Sequence, residues 1–257
     1  MQNLFDVRGK TALVTGGGRG IGEMIARGYV ANGARVYIAS RDKERIGAIA
    51  RELSNEGGCI ALPADVSTLS GIRALADALA SNEPKLDILV NNAGAARTSP
   101  IETFTEEAWD QVMDLNAKSV FFLTQSLLPL LRASAAPDRP ARVINIASVF
   151  GVNPPEQDGY SYSSSKAACL MLTRHLAKRL LREHILVNAI VPGPFPTDMM
   201  APRLAVAGDQ IRANNPTGRI GTAEDIAGCA IFLASRASGW TTGAAIPCDG
   251  GSASLRS

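Results

Sequence analysis

Cysteine and histidine are scarce in this chain of 257 residues, with four of the first and two of the second. Cys59, Cys169, Cys229 and Cys248 form no C-x-x-C pair and no metal-ligand spacing, and only His175 and His184 could join them as soft ligands. The pattern argues against a metal centre and predicts buried, reduced thiols. An excess of either charge is lacking too: 26 Lys and Arg against 24 Asp and Glu leave a net charge of +2, with no acidic or basic tail. Bulk electrostatics therefore does not call for nucleic acid or an anionic membrane as partner. No long apolar run occurs. The most apolar stretch, residues 120–131, is broken by Gln125 and Pro129, and the N-terminus carries Asp6 and polar residues rather than a signal-peptide run. These absences predict a soluble, cytosolic protein, and the length suits one α/β domain with a sizeable core.

What is present is a regular alternation of apolar strand-like runs and helical stretches. The run Thr11-Ala-Leu-Val-Thr15 leads into Gly16-Gly-Gly-Arg-Gly-Ile-Gly22, and residues 23–32 have helical character. Glycines let the backbone approach a pyrophosphate closely, and a helix N-terminus offers it free amides and the positive end of a dipole. The spacing is G-x-x-x-G-x-G through Gly16, Gly20 and Gly22, not G-x-G-x-x-G. A second strand, residues 35–39, ends in Ser40-Arg41, where NAD-binding folds commonly carry an acidic residue for the ribose 2'-hydroxyl. With no carboxylate at Ser40, a 2'-phosphate can be met by Arg41, with Arg19 as a second cation, which favours NADP(H). The alternation continues with a helix at 43–54, a strand at 59–62 running on to Asp65-Val66, a helix at 70–80 and a strand at 86–90. It predicts an α/β fold in which a doubly wound parallel sheet has helices on both faces. The fourth strand closes on Asn91-Asn92-Ala93-Gly94, small residues at a carboxyl end, where open α/β sheets bind ligands.

A long helical segment at 106–131 contains Asn116, a mediocre helix former that demands a reason at mid-helix. After a polar linker at 133–141, the apolar strand 142–147 puts Ser148 at its carboxyl end. A helix then runs from Tyr160 to about residue 184, and in it Tyr162 and Lys166 stand four residues apart. Residues at i and i+4 share a helix face about 5–6 Å apart, so the Lys166 ammonium can sit beside the Tyr162 phenol and favour its ionised form. Tyr160 is the competing tyrosine, but no lysine follows it at that spacing. Beyond a strand at 186–191 come Pro192-Gly-Pro-Phe-Pro-Thr197, a mixed segment at 198–216 with Met199, Met200, Leu204 and Val206, a helix at 223–234 and a strand at 244–247 before Asp249-Gly-Gly251. The mixed segment reads as a mobile lid.

Together the glycine loop, Asn91-Asn-Ala-Gly94, Asn116, Ser148, Tyr162-Ser-Ser-Ser-Lys166, Pro192-Gly193 with Thr197, and Asp249-Gly-Gly251 resemble the short-chain dehydrogenases/reductases, in order and over essentially the whole chain. The resemblance implies a single-domain Rossmann fold of about seven strands over residues 1–257, with a substrate lid at about 194–216. It implies a catalytic tetrad of Asn116, Ser148, Tyr162 and Lys166. Cofactor contacts would come from Gly16, Arg19, Gly20, Ile21, Gly22, Ser40, Arg41, Asp65, Val66, Asn92, Ala93, Gly94, Pro192, Gly193, Phe195 and Thr197, together with Tyr162 and Lys166. In this pattern Tyr162 passes the proton, Ser148 bonds the developing oxyanion, Lys166 also holds the nicotinamide ribose, and Asn116 positions a water. One departure stands out: Ser148 and Tyr162 are fourteen residues apart, one more than the family's usual separation, and the loop at 151–159 is placed to absorb it. The family assembles as homotetramers through its long helices and C-terminal end.

The stretches 86–92, 126–132 and 140–146 and the start of the lid look especially like the β-ketoacyl reductases associated with rhamnolipid biosynthesis, relatives of the 3-oxoacyl-carrier-protein reductases. That likeness implies reduction of a 3-oxoacyl thioester with NADPH. An apolar, methionine-bearing lid suits such a ketone better than a sugar. An acidic acyl carrier would need a basic dock, for which Arg174, Lys178 and Arg182, with Arg132, Arg139 and Arg142 elsewhere, are candidates. The alternatives are a polyol, sugar-acid or steroid dehydrogenase of the same family, and a non-catalytic NADP(H)-binding sensor, against which the intact tetrad argues.

Overall fold

The computed structural model describes residues 2–54, 58–253 and 255. Seven strands, β1 (Thr11–Thr15), β2 (Arg35–Ser40), β3 (Cys59–Pro63), β4 (Ile88–Asn91), β5 (Ala141–Ile146), β6 (Ile185–Pro192) and β7 (Ala245–Cys248), form one sheet in the order β3-β2-β1-β4-β5-β6-β7. All of its pairings are parallel. Parallel strands need long crossovers, and helices supply them: α1 (Gly20–Ala31), α2 (Lys43–Ser54), α3 (Leu69–Asn82), α4 (Glu106–Met113), α5 (Ser119–Ser134), α6 (Tyr160–Leu180), α7 (Ala201–Ala213) and α8 (Ala223–Ala234).

The central strands β1, β4, β5 and β6 are buried at every position. Successive side chains of a strand point to opposite faces, so an unbroken apolar strand needs cover on both sides. Leu13, Leu89 and Val143 pack with Leu75, Leu127 and Ala177 under α3, α5 and α6. Their neighbours Val14, Val90 and Ile144 pack with Ile25, Ile46 and Ile226 under α1, α2 and α8. Full burial of each such Leu or Ile contributes about 1.5–3 kcal/mol, which makes these two layers the main source of stability. Strand order reverses between β1 and β4, opening a crevice at their carboxyl ends. No helix among the described residues is long and apolar enough to cross a membrane.

Four local features depart from expectation. Helix α1 begins at Gly20 rather than at residue 23, so the last glycines of the loop are already its first turn. The segment expected as one helix at 106–131 is α4, a π-helical turn at Asp114–Lys118, and α5, which runs on to Ser134. Helix α6 stops at Leu180 instead of about residue 184, because a 3-10 turn at Leu181–Glu183 leads into His184 at φ +56°. A left-handed residue cannot continue a helix. In the segment expected to act as a lid, α7 is kinked at Ala207, where φ is −133°.

Candidate active site

Thr15, the last residue of β1, closes the crevice at its base. Its hydroxyl donates to Val90 O (3.3 Å) and accepts from the amides of Asn92 and Ala93 (both 3.0 Å). The Asn92 side chain donates to Thr15 O (2.8 Å) and Gly16 O (3.3 Å), so it braces the glycine loop from behind. Glycine is required by space at this point: a Cβ on Gly16, where φ is +65°, would lie 3.1 Å from Ala93 Cα, and one on Gly22 would lie 2.8 Å from Gly16 C. The second is closer than real Cβ contacts come and the first is tighter than most, and Gly16 also occupies the left-handed region. Ile21 packs against the core under the loop.

Across the crevice, the segment after β6 comes down on the loop. Thr197 Cγ2 lies 3.1 Å from a Cβ built on Gly20, and Gly193 sits on Asp249 Cα, with 2.8 Å left for a Cβ. Pro192 ends β6. Phe195, expected as a cofactor contact, turns inward instead: its side chain is buried in the core against Gly221, leaving only its backbone to the cleft. At the adenosine end of such a crevice, Ser40 terminates β2, and Arg41 and Arg19 are exposed. Arg41 Nη1 lies 3.9 Å from the Asp65 carboxylate, and Val66 is buried behind it. Burial raises the Asp65 carboxyl, but the Ser67 hydroxyl and amide and the Arg41 charge outweigh it and hold the group below its ordinary value. Two residues that the sequence did not single out tie the halves together. Arg45 Nε donates to Gly18 O (2.7 Å), and its Nη1 pairs with Asp198 at 3.1 Å.

The π turn explains Asn116. Its wider turn directs the side chain inward, where it is 1% exposed. The side-chain amide donates to Ala95 O (2.9 Å) and Ser165 Oγ (3.0 Å), while its oxygen accepts from Ala95 N (2.8 Å). A Cβ built on Gly94 would lie 3.2 Å from that oxygen and 3.6 Å from Lys166 Nζ. Asn116, the carboxyl end of β4 and the lysine therefore meet at one spot. Lys166 is 4% exposed and donates to Ile146 O at 2.7 Å. Its Nζ is 5.7 Å from the centre of the Tyr162 ring.

Ser148 follows β5 with extended backbone, φ −168°, and its hydroxyl accepts from Phe150 N at 3.2 Å. Gly151, three residues on, packs against the backbone of α6; a Cβ there would lie 2.7 Å from Lys166 C. The serine loop is thereby pressed onto the first turns of the helix that carries Tyr162. Tyr160 is occupied elsewhere, donating to Asp158 (2.6 Å) and stacking edge-on with Phe104. It does not compete for Lys166. Beneath the site a buried polar relay, Asn91 to Asn145 (2.8 Å) and Asn145 to Thr173 (2.9 Å), locks β4, β5 and α6 in register.

Of the arginines considered for docking, Arg142 is 2% exposed and donates to Ser235 O (2.9 Å), so it is a core residue; burial pushes its guanidinium down to about 10. Arg132 is paired with Glu183 at 2.6 Å. Arg174 and Lys178 are exposed on α6, and Arg182 is exposed in the 3-10 turn that follows it. No cluster of metal-ligating side chains occurs among the described residues.

A family model described as enoyl-(acyl carrier protein) reductase matches residues 16–253. This chain belongs to the short-chain dehydrogenase/reductase family. Within the family it is 48% identical over 254 residues to the rhamnolipids biosynthesis 3-oxoacyl-[acyl-carrier-protein] reductase of Pseudomonas aeruginosa, covering 98% of this chain and 99% of that protein. The solved RhlG/NADP active-site complex from the same organism superposes with a TM-score of 0.95 at 47% identity, over 98% of this chain and 100% of that one. A 2-dehydro-3-deoxy-D-gluconate 5-dehydrogenase from Dickeya dadantii is 36% identical, with 97% of each chain covered.

Proposed function

We propose that this short-chain reductase converts a 3-oxoacyl thioester to the 3-hydroxyacyl thioester with NADPH, using Tyr162, Ser148, Lys166 and Asn116. The observation that carries the reading is the meeting of Lys166, Tyr162, Asn116 and Gly94 at the carboxyl end of β4, next to a glycine cradle that admits no side chain. The 48% identity to a rhamnolipids biosynthesis 3-oxoacyl-[acyl-carrier-protein] reductase supports the substrate class. The cleft fits a phosphorylated dinucleotide: Gly16, Gly20, Gly22, Ala93 and Gly94 leave room for backbone approach, and at the β2 end Arg41 and Arg19 offer cations while Ser40 stands where a carboxylate would repel a 2'-phosphate, with Asp42 and Asp65 as the nearby carboxylates. Asp65 and Val66 border the adenine side, and Pro192, Gly193 and Thr197 the nicotinamide side. Asn92 acts on the cofactor through the glycine loop that it braces.

The bound dihydronicotinamide supplies the hydride. Tyr162 gives its phenolic proton to the substrate oxygen, and Ser148 donates a hydrogen bond to the charge developing there. Lys166, held to Ile146 O, keeps its ammonium beside the phenol through the step. Asn116 has its amide and oxygen engaged by Ala95 and Ser165, so it serves as a positioning residue that fixes the loop of Gly94 against Lys166. The 194–216 segment, tied to the glycine loop through Arg45 and Asp198, acts as the substrate lid of a single domain. We place the enzyme in the cytoplasm as a homotetramer; the half-exposed Trp109, Phe121 and Met171 on α4, α5 and α6 support the assembly.

The test is NADPH oxidation by the purified protein with a β-ketoacyl thioester, with NADH as control. Rapid NADPH-dependent turnover is expected. Turnover confined to sugar acids such as 2-dehydro-3-deoxy-gluconate would replace the acyl reading with that of the dehydrogenase relative.

A further inference from the structure

Nineteen residues separate Cys229 from Cys248 in the chain, yet the fold brings the elements that carry them together. Cys229 lies mid-way along α8 and Cys248 ends β7. The Cys248 thiol points at Asp225 O, 3.5 Å away. In an α-helix that carbonyl accepts the amide of the residue four positions on, which is Cys229. Both cysteines therefore converge on one carbonyl, Cys229 through its amide and Cys248 through its thiol, which places the Cys248 sulfur against the turn of α8 that carries Cys229. Both are half-buried, whereas Cys59 and Cys169 are buried apart from them. The location has a consequence for the cofactor cleft. Cys248 O accepts from Gly193 N at 3.1 Å, and the next residue, Asp249, forms the floor under Gly193. Whatever draws Cys248 toward α8 also moves the support of the 192–197 loop.

We propose that Cys229 and Cys248 form a peroxide-responsive disulfide site that weakens cofactor binding by shifting the support of Gly193. The loop effect rests on the NADPH reading above; the disulfide itself does not. The Cys248 sulfur attacks one oxygen of hydrogen peroxide, the O–O bond breaks, and a sulfenic acid and water result. The Cys229 sulfur then attacks the sulfenic sulfur, the S–S bond forms, the S–O bond breaks, and a second water leaves. Two thiols lose two electrons and two protons, and one peroxide becomes two waters. Electrostatics favours Cys248 as the attacking group. The neighbouring Cys229 thiol and the Arg219 charge lower the Cys248 thiol below its ordinary value against burial and the Asp225 and Asp249 charges, whereas the neighbouring Cys248 and burial raise Cys229.

The reduced protein is exposed to hydrogen peroxide, its remaining thiols are alkylated under denaturing conditions, and its peptides are mapped by mass spectrometry without reductant. The expected product is a cross-link between the Cys229 and Cys248 peptides, lighter than their sum by two hydrogens, reversed by dithiothreitol and absent in Cys229→Ser. The KM for NADPH should rise about threefold or more in the oxidised protein, as displacement of a binding loop implies, and return on reduction, while Cys229→Ser keeps its KM under the same treatment. Full alkylation of both cysteines after peroxide, or sulfinic acid at Cys248 with no cross-link, overturns the site. A complete cross-link with unchanged KM overturns its link to the cleft.

Discussion

Removing the Asn116 side chain tests the positioning argument most directly. Asn116→Ala deletes three hydrogen bonds of 2.8–3.0 Å from a side chain that is 1% exposed. Ala95 loses the partner of its N–H and of its C=O. A buried group left unpaired costs about 1–3 kcal/mol, but Ala95 is only half-buried and water can reach it, so the lower end applies to each. About 2 kcal/mol in total follows. At about 2–4 °C per kcal/mol for a chain of this size, the melting temperature falls by about 4–8 °C. Release of the Gly94 loop from Lys166 should lower turnover by about 10- to 100-fold, the scale of small misplacements at a reacting centre. Asn116→Asp keeps the acceptor for Ala95 N–H while losing both donations, so it should fall between. Thermal unfolding and single-substrate kinetics are the assays. A variant Asn116→Ala that melts within about 1 °C of the parent and turns over normally refutes the claim that this side chain holds the loop.

Other outcomes follow from the same geometry. Tyr162→Phe should retain NADPH binding, measured by nucleotide fluorescence, and lose about 100-fold or more in turnover, the usual worth of a positioned proton donor; near-normal turnover would move the proton to another group. Arg41→Ala should raise the KM for NADPH about tenfold or more and leave that for NADH almost unchanged, since only the former carries the 2'-phosphate proposed to meet Arg41; equal effects would place Arg41 outside the cofactor site. Breaking the tie between lid and loop with Arg45→Ala should raise the KM for NADPH and speed its dissociation in stopped-flow, and unaltered kinetics would reduce the Arg45–Asp198 pair to a surface contact. Finally, Arg219 and the Thr222 amide hold the Asp225 carboxyl well below its ordinary value within the capping box of α8. Because the folded value lies below the unfolded one of about 3.9, this contribution is complete above about pH 4 and is lost as pH falls through the folded value. Asp225→Asn should therefore melt lower than the parent at neutral pH, with the gap closing in acid; a gap that persists into acid would show that the charge plays no part.

Much of this protein was legible before any fold was built. The paired halves of the sheet follow from apolar runs such as 11–15 and 142–147 alternating with helical stretches, and those signals are local in the chain. The glycine loop and the Tyr162–Lys166 spacing are local too: one encodes a close backbone approach, the other a shared helix face. The loop between Ser148 and Tyr162 is local as well, and Gly151 presses it onto α6. The tertiary structure decided what depends on residues far apart. Asn116 sits in a π turn bonded to Ala95, twenty-one residues earlier, so no helical periodicity could announce the break. Phe195 and Arg142 carry the residue types of a cofactor contact and a surface dock, yet their burial is set by Gly221 and Ser235 from other elements. The Arg45–Asp198 tie and the Cys248 thiol on Asp225 O likewise join α2 to the segment after β6 and β7 to α8. Composition and spacing determine which elements form and which chemistry they can carry; only packing across the sheet decides which side chains face one another, because that is where distant parts of the chain first come within hydrogen-bonding distance.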